Sequence, residues 1–322
     1  MRFEMIPYGN PVRFYGEDRP EGLYPLFVQN VVIDASVKPD HIPCMQFKDG
    51  MYSDRFGSTE YIGDTEGPVA RCVTSVELEL IFEQYDVHSI EYKEGWAFKG
   101  STELFATFID ETMEGKSKAT IEGNTGMRQI FKLRANSSYG KLGTSTRFSS
   151  MKPVKRDGRI WYEKLPEEER EGVYIAAAAF ITAYARSFTI RAAQANFDRF
   201  VYSDTDSIYL KGTEPPVGIE VDDVKLGAWK LEHRFQHFKA LRAKRYVFIE
   251  DGKLNVRCAG MPERCIDFED NPAFDPSEVP EGVNTRVTFE NFEQDAVYWG
   301  KLYPMHADGG LWLRTGAYRL RM

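Results

Sequence analysis

The stretch that most constrains this chain lies between residues 176 and 210, where AAAAFITAYARSFTIRAAQANFDR runs straight into FVYSDTDSIYL. The first part reads as one long helix, about Ala176 to Arg199, and the second as a strand. The strand carries two acids, Asp204 and Asp206, between Phe200-Val201 and Ile208-Tyr209. Acids two residues apart, on an extended strand or at a hairpin tip, aim to one side. Two like charges held together repel unless a counter-charge joins them. A divalent cation meets that need, because Mg²⁺ takes one or two protein carboxylates together with phosphate oxygens. The plain alternative is an Asx-type turn with exposed acids. The apolar flanks weigh against it, since solvated acids are unusual inside such a run.

A second patterned stretch, GMRQIFKLRANSSYGK, spans residues 126–141. At 100° per residue, Arg128, Lys132, Asn136 and Tyr139 fall within about 80° of one another. One helix face thus presents two cations, an amide and an aromatic ring, a set suited to a nucleotide. An ordinary surface helix capped at Ser138-Tyr139-Gly140 is the alternative.

The net charge of −8 argues at first against a polyanion partner. The charges are segregated, however. Lys116 to Arg156 holds ten basic residues against the single acid Glu122, and His233 to Ile249 holds five with no acid. The rest of the chain is strongly acidic. A local basic surface acts within a screening length of about 8 Å, so it can hold a polyanion on an acidic body.

Elsewhere, residues 24–48 read as short strands, and 75–86, 101–113 and Met127–Tyr139 as helices. Residues 143–172 read as a hairpin insertion turning at Asp157-Gly158, and 266–282 as an exposed acidic loop. The last forty residues read as a β-rich terminal module. No apolar run reaches the ~18 residues of a membrane span, and the N-terminus shows no signal-peptide pattern. The four cysteines form no C-x-x-C pair and the five histidines show no metal-ligand spacing.

Together the motifs resemble the family B DNA polymerases, in particular the protein-primed replicative polymerases of small tailed bacteriophages. YSDTDS (202–207) is similar to the third palm motif Y-x-D-T-D-S, and KLRANSSYG (132–140) to the fingers motif K-x-x-x-N-S-x-Y-G. Lys244-Arg245-Tyr246 is similar to the K-x-Y primer motif. The helix AAFITAYARSFTIRAAQANFDR, CAGM (258–261) and VTFENF (287–292) resemble the phage branch.

The resemblance implies an α+β right hand: an antiparallel palm sheet with helices, helical fingers and a small β-rich thumb, plus two insertion subdomains. It implies a first insertion at 1–100, fingers at 101–142, a second insertion at 143–174, palm at 175–257 and thumb at 258–322. Asp204 and Asp206 would bind Mg²⁺ or Mn²⁺, two ions in the completed site, with Asp206 ahead of Asp204 as the direct catalytic ligand. Lys132 and Arg128 would contact the incoming dNTP, Asn136 and Tyr139 would shape its pocket, and Lys116 or Lys118 would add a phosphate contact. Lys244, Arg245, Tyr246, Thr182 and Arg186 would hold the primer–template DNA. Cys258 is read as buried structure and Asp34 as a strand-end residue.

The family's first palm motif, D-x-x-S-L-Y-P, is absent, and Met1 with Pro7-Tyr8-Gly9 resembles the pattern just after it. The expectation is a C-terminal polymerase fragment: either a separate upstream product, carrying the other aspartate and an exonuclease domain, completes it, or the reading frame is truncated or mis-started. A terminal priming protein is a further implied partner, and the bacterial host cytoplasm the implied location. The alternative is a noncatalytic primer–template-binding remnant. Reverse transcriptases are disfavoured because they show Y-x-D-D.

Overall fold

The computed structural model of the chain describes residues 2–47, 61–156, 159–223, 225–272, 274–307 and 310–321. The chain is α+β and divides into two compact units. The first comprises Met1–Thr146 and Arg170–Leu231, the second Arg147–Glu169 and Glu232–Met322.

The first unit opens with an antiparallel sheet of β1 (Ile6–Tyr15), β2 (Leu26–Val37), β3 (Val69–Thr74) and β4 (Tyr85–Ser101), in the order β1-β4-β2-β3. Of residues 24–48, expected as short strands, the described ones instead hold one 12-residue strand, β2. It stays in register because Val31, Ile33 and Ala35 alternate into the core. Asp34 lies within this strand rather than at its end, and its carboxylate accepts from the Thr65 hydroxyl at 3.0 Å.

Between β3 and β4 sits α1 (Ser75–Gln84). Its start is fixed by a capping box: Thr74 Oγ1 accepts from the Glu77 N–H, and Glu77 Oε2 accepts from the Thr74 N–H, both at 3.1 Å. The helix ends at Gln84 rather than residue 86, because Tyr85 turns extended and carries its ring into the core. The buried Tyr85 hydroxyl accepts from the N–H groups of Cys44 and Met45 and donates to the Ile62 carbonyl. It thereby satisfies loop backbone that water cannot reach.

An antiparallel helix pair follows, α2 (Ala106–Ile121) and α3 (Thr125–Leu142). The expected helix at 101–113 is displaced to 106–121, since β4 continues to Ser101. Its interior glycine has a steric reason: a Cβ on Gly115 would lie 2.3 Å from Phe131 Cζ. The missing side chain lets α3 lay its ring against α2. Asn124 caps α3 by accepting from the Met127 N–H at 3.0 Å.

The chain then forms, in the second unit, β5 (Arg147–Phe148), β6 (Met151–Arg156), β7 (Arg159–Lys164) and β8 (Glu168–Glu169). β6 and β7 pair as the expected hairpin; its proposed turn, Asp157-Gly158, lies outside the described residues. Back in the first unit comes α4 (Ile175–Gln194), which leads into β9 (Phe200–Asp204) and β10 (Ser207–Leu210). The helix stops short of the expected Arg199. Asn196, buried, donates to the carbonyls of Ala192 and Val217 and accepts from the Val217 N–H, and a 3₁₀ turn at Phe197–Arg199 redirects the chain.

The second unit continues with β11 (His237–Arg242), β12 (Arg245–Glu250) and β13 (Lys253–Cys258), an antiparallel meander, and closes with the hairpin β14 (Val297–Ala307) and β15 (Gly310–Arg319). Its core gathers Val247, Cys265, Phe292, Tyr298 and Leu320. The acidic segment 266–282 is anchored rather than fully exposed: Phe268 is buried and its N–H reaches the Thr285 carbonyl. Cys258 is half-buried, with its Sγ 3.8 Å from the Tyr318 hydroxyl, and burial raises its thiol pKa. Among the described residues no helix is long and apolar enough to cross a membrane.

Candidate nucleotide and primer site

The two acids sit at a hairpin tip. Ser207 pairs with Asp204, so only Thr205 and Asp206 make the turn. Asp204 is half-buried at the end of β9, and Asp206 is exposed in the turn itself. The Asp206 N–H reaches back to the Asp204 carbonyl at 2.6 Å, across Thr205 at φ +54°. An i→i+2 bond over a residue of positive φ is the strained hand of the γ-turn. A β-branched residue in this region is an outlier, at a cost of about 1–3 kcal/mol.

Side-chain bonds hold the tip. Thr205 Oγ1 donates to Asp204 Oδ1 at 3.1 Å, Ser207 Oγ to the Asp204 carbonyl at 3.0 Å, and Thr189 Oγ1 of α4 to the Thr205 carbonyl at 3.2 Å. Behind the tip, Tyr202 and Tyr209 face each other across the strands, ring centroids 5.6 Å apart. Among the described residues, no three or more His, Cys, Asp or Glu side chains gather to hold a metal. The protein's offer here is therefore two hard carboxylate donors. That set fits Mg²⁺ or Mn²⁺ only when phosphate oxygens and water complete the shell.

On α3, Arg128, Lys132 and Asn136 are exposed, one turn apart, while Phe131, Ala135 and Ser138 are partly covered. Arg134 lies on the α2 side, over the Phe108 ring at 4.8 Å and 3.6 Å from Glu111. The expected basic face is thus the solvent face of α3. Tyr139 belongs to the helix, but its side chain lies outside the described part. On α2, Lys116 is half-buried and Lys118 exposed.

The helix α4 packs against both α3 and the β9–β10 hairpin. Near its start Ala178 lies under Gly143, just past α3, and eleven residues later Thr189 holds the aspartate turn. At 1.5 Å per residue that separates the two contacts by roughly 16 Å along the helix. Thr182, Arg186 and Thr189 share one stripe of α4, within about 60°. Thr182 is exposed and donates to the carbonyls of Ala178 and Ala179. Arg186 is engaged within the protein: Nη1 lies 2.5 Å from Glu77 Oε1, whose other oxygen caps α1. Glu77 and Thr189, which touch these candidates, are not among the residues singled out in the sequence. The T-x-x-E capping pattern at 74–77 marks Glu77, and no sequence signal marks Thr189.

The remaining candidates lie in the second unit. Lys244 is exposed in the turn between β11 and β12, at φ +60°, and its carbonyl accepts from the Ala259 N–H at 2.8 Å. Arg245 is half-buried on β12. Tyr246 is buried, its ring 5.7 Å from that of Phe238, so its body supports the sheet and Lys244 presents the motif's charge.

Residues 1–223 match the family described as DNA polymerase type B, organellar and viral. The DNA polymerase of Bacillus phage phi29 is 34% identical over 343 residues, covering 100% of this chain and 55% of the relative. That of Streptococcus phage Cp-1 is 29% identical, covering 98% of the chain and 53% of the relative. A solved structure of phi29 DNA polymerase with primer-template DNA and incoming nucleotide substrates superposes with a TM-score of 0.85 at 32% identity, over 98% of this chain and 55% of that one. The chain spans about half the length of the curated relatives it matches. With an aspartate hairpin, a cationic helix face and a fold shared with these phage enzymes, the chain belongs to the type B DNA polymerases of the organellar and viral kind.

Proposed function

We propose that this chain carries the nucleotide- and primer-handling part of a template-directed DNA polymerase, transferring a nucleotide from a dNTP to a primer 3′-OH. The observation that carries this reading is the aspartate turn held on α4, with the exposed cations of α3 packed on the same helix. It is supported by likeness to a polymerase solved with primer-template DNA and incoming nucleotides. In this reading residues 101–142 are fingers, 175–257 palm and 258–322 thumb of a right hand, with insertions at 1–100 and 143–174. A divalent cation at Asp204 and Asp206 would supply charge neutralisation at the transferring phosphate.

The chain's own residues perform the positioning. Lys132 and Arg128 pair with the anionic triphosphate from the open face of α3, and Lys116 and Lys118 add charge nearby in sequence. Asn136 borders the incoming base, and Tyr139 is assigned to the same pocket by the resemblance alone. Thr182 lines the DNA side of α4, Arg186 approaches it while balanced by Glu77, and Lys244, Arg245 and Tyr246 form the primer-side hairpin. Such binding is sequence-independent and driven by counterion release. For about four neutralised phosphates, primer–template affinity is expected to fall about a hundredfold between 50 and 200 mM salt. Fluorescence anisotropy with a labelled primer–template measures this, and an affinity independent of salt would contradict the proposal. DNA binding without any nucleotide incorporation would instead support a noncatalytic remnant, since among the described residues no third acid, histidine or cysteine joins Asp204 and Asp206.

A further inference from the structure

Thr189 is one of the few buried polar side chains on α4, 7% exposed. Its hydroxyl lies 3.1 Å from the Ala185 carbonyl within its own helix and 3.2 Å from the Thr205 carbonyl in the aspartate turn. The second contact joins a rigid element to the one left-handed residue between the two acids. The helix is fixed at this point by its neighbours: Phe188 stacks on Trp229 with centroids 5.3 Å apart and planes 12° apart, and Ile190 is buried in the core.

A γ-turn centred on threonine does not hold itself, because a β-branched residue relaxes away from positive φ when nothing restrains its peptide. Rotation of the Thr205–Asp206 peptide would swing the Asp206 carboxylate relative to Asp204. The single Thr189 hydroxyl proton, shared between the Ala185 and Thr205 carbonyls, holds that peptide by its oxygen. We propose that Thr189 is a positioning residue for the metal-binding pair, acting through the Thr205 carbonyl to keep both carboxylates presented together. The inference rests on the reading of Asp204 and Asp206 as metal donors.

The test uses the full 322-residue chain and Mn²⁺ itself, titrated and followed by the electron paramagnetic resonance of the free ion. Asp206→Asn defines the binding that belongs to this site. Thr189→Val, which keeps shape and removes the hydroxyl, is expected to weaken the Asp206-dependent binding about three- to tenfold, while Thr189→Ser stays within about twofold. Thr189→Ala carries the same expectation and serves if the valine variant fails to fold by circular dichroism. A second arm separates positioning from mere folding. Thr205→Gly removes the left-handed strain, so adding Thr189→Val in that background is expected to change Mn²⁺ binding by less than about twofold. Parental affinity in both Thr189→Val and Thr189→Ala overturns the role of Thr189 alone. An undiminished Thr189→Val penalty in the Thr205→Gly background overturns it too, by showing that the effect does not run through the turn. Absence of any Asp206-dependent Mn²⁺ binding in the parent chain overturns the metal reading, and the role of Thr189 with it.

Discussion

Asp206→Asn is expected to lower template-directed nucleotide incorporation by about 10³-fold while leaving primer–template affinity within about twofold. The substitution keeps the size of the side chain and its place in the turn, where Asp206 contributes its backbone N–H to the γ-turn. What it removes is one of two anionic oxygen donors. A loss of several kcal/mol in transition-state stabilisation follows when a group aimed at developing charge is neutralised. Because Asp206 is exposed, the fold has little at stake, and the melting temperature should hardly move. Single-turnover primer extension beside anisotropy binding reads both quantities. Equal losses in binding and extension would mean that Asp206 serves the fold or the DNA grip instead of the chemistry.

Lys132→Ala is the second large effect. Lys132 is exposed on α3, one turn from Arg128 and one from Asn136, on the face away from the α2 contact. A charge-assisted contact to phosphate is worth about 1.5–3 kcal/mol, so the KM for dNTP is expected to rise roughly 10- to 100-fold. Lys132→Arg should recover part of this, since it retains charge with a different donor geometry. Stability should change by less than about 0.5 kcal/mol, as for other exposed sites. Steady-state kinetics over a dNTP series checks the first expectation and chemical denaturation the second. An unchanged KM would remove Lys132 from the nucleotide site.

The parts of this molecule that could be read ahead of the structure are those whose signals are local. The alanine-rich helix emerged from a pattern that burial of one side dictates, and the α3 face from 100° spacing alone, since the described residues of α3 are exposed or only partly covered. What could not be read ahead has causes that a local pattern does not carry. Alternation through YSDTDSIY leaves an extended strand and a hairpin tip both open, and none of the residues that usually mark a tight turn with positive φ, glycine or asparagine, stands at position 205 to decide for the hairpin that forms. The early stop of α4 depends on Asn196 choosing backbone partners, one of them 21 residues downstream at Val217. The ion pair that engages Arg186 comes from Glu77, 109 residues earlier, and is invisible to any window on the sequence. Thr189 reads as one more helical threonine until the hairpin is folded against it.

Single-nucleotide primer extension with four templates that differ only in the templating base shows whether the chain takes part in template-directed synthesis. It is run with the chain by itself and supplemented with the remaining segment of a phage relative, each in the presence of Mg²⁺. Addition of the complementary nucleotide is expected when the remaining segment is supplied, lost when Asp206 is replaced by asparagine. Addition that ignores the template base, or no addition in either setting, would contradict the polymerase reading.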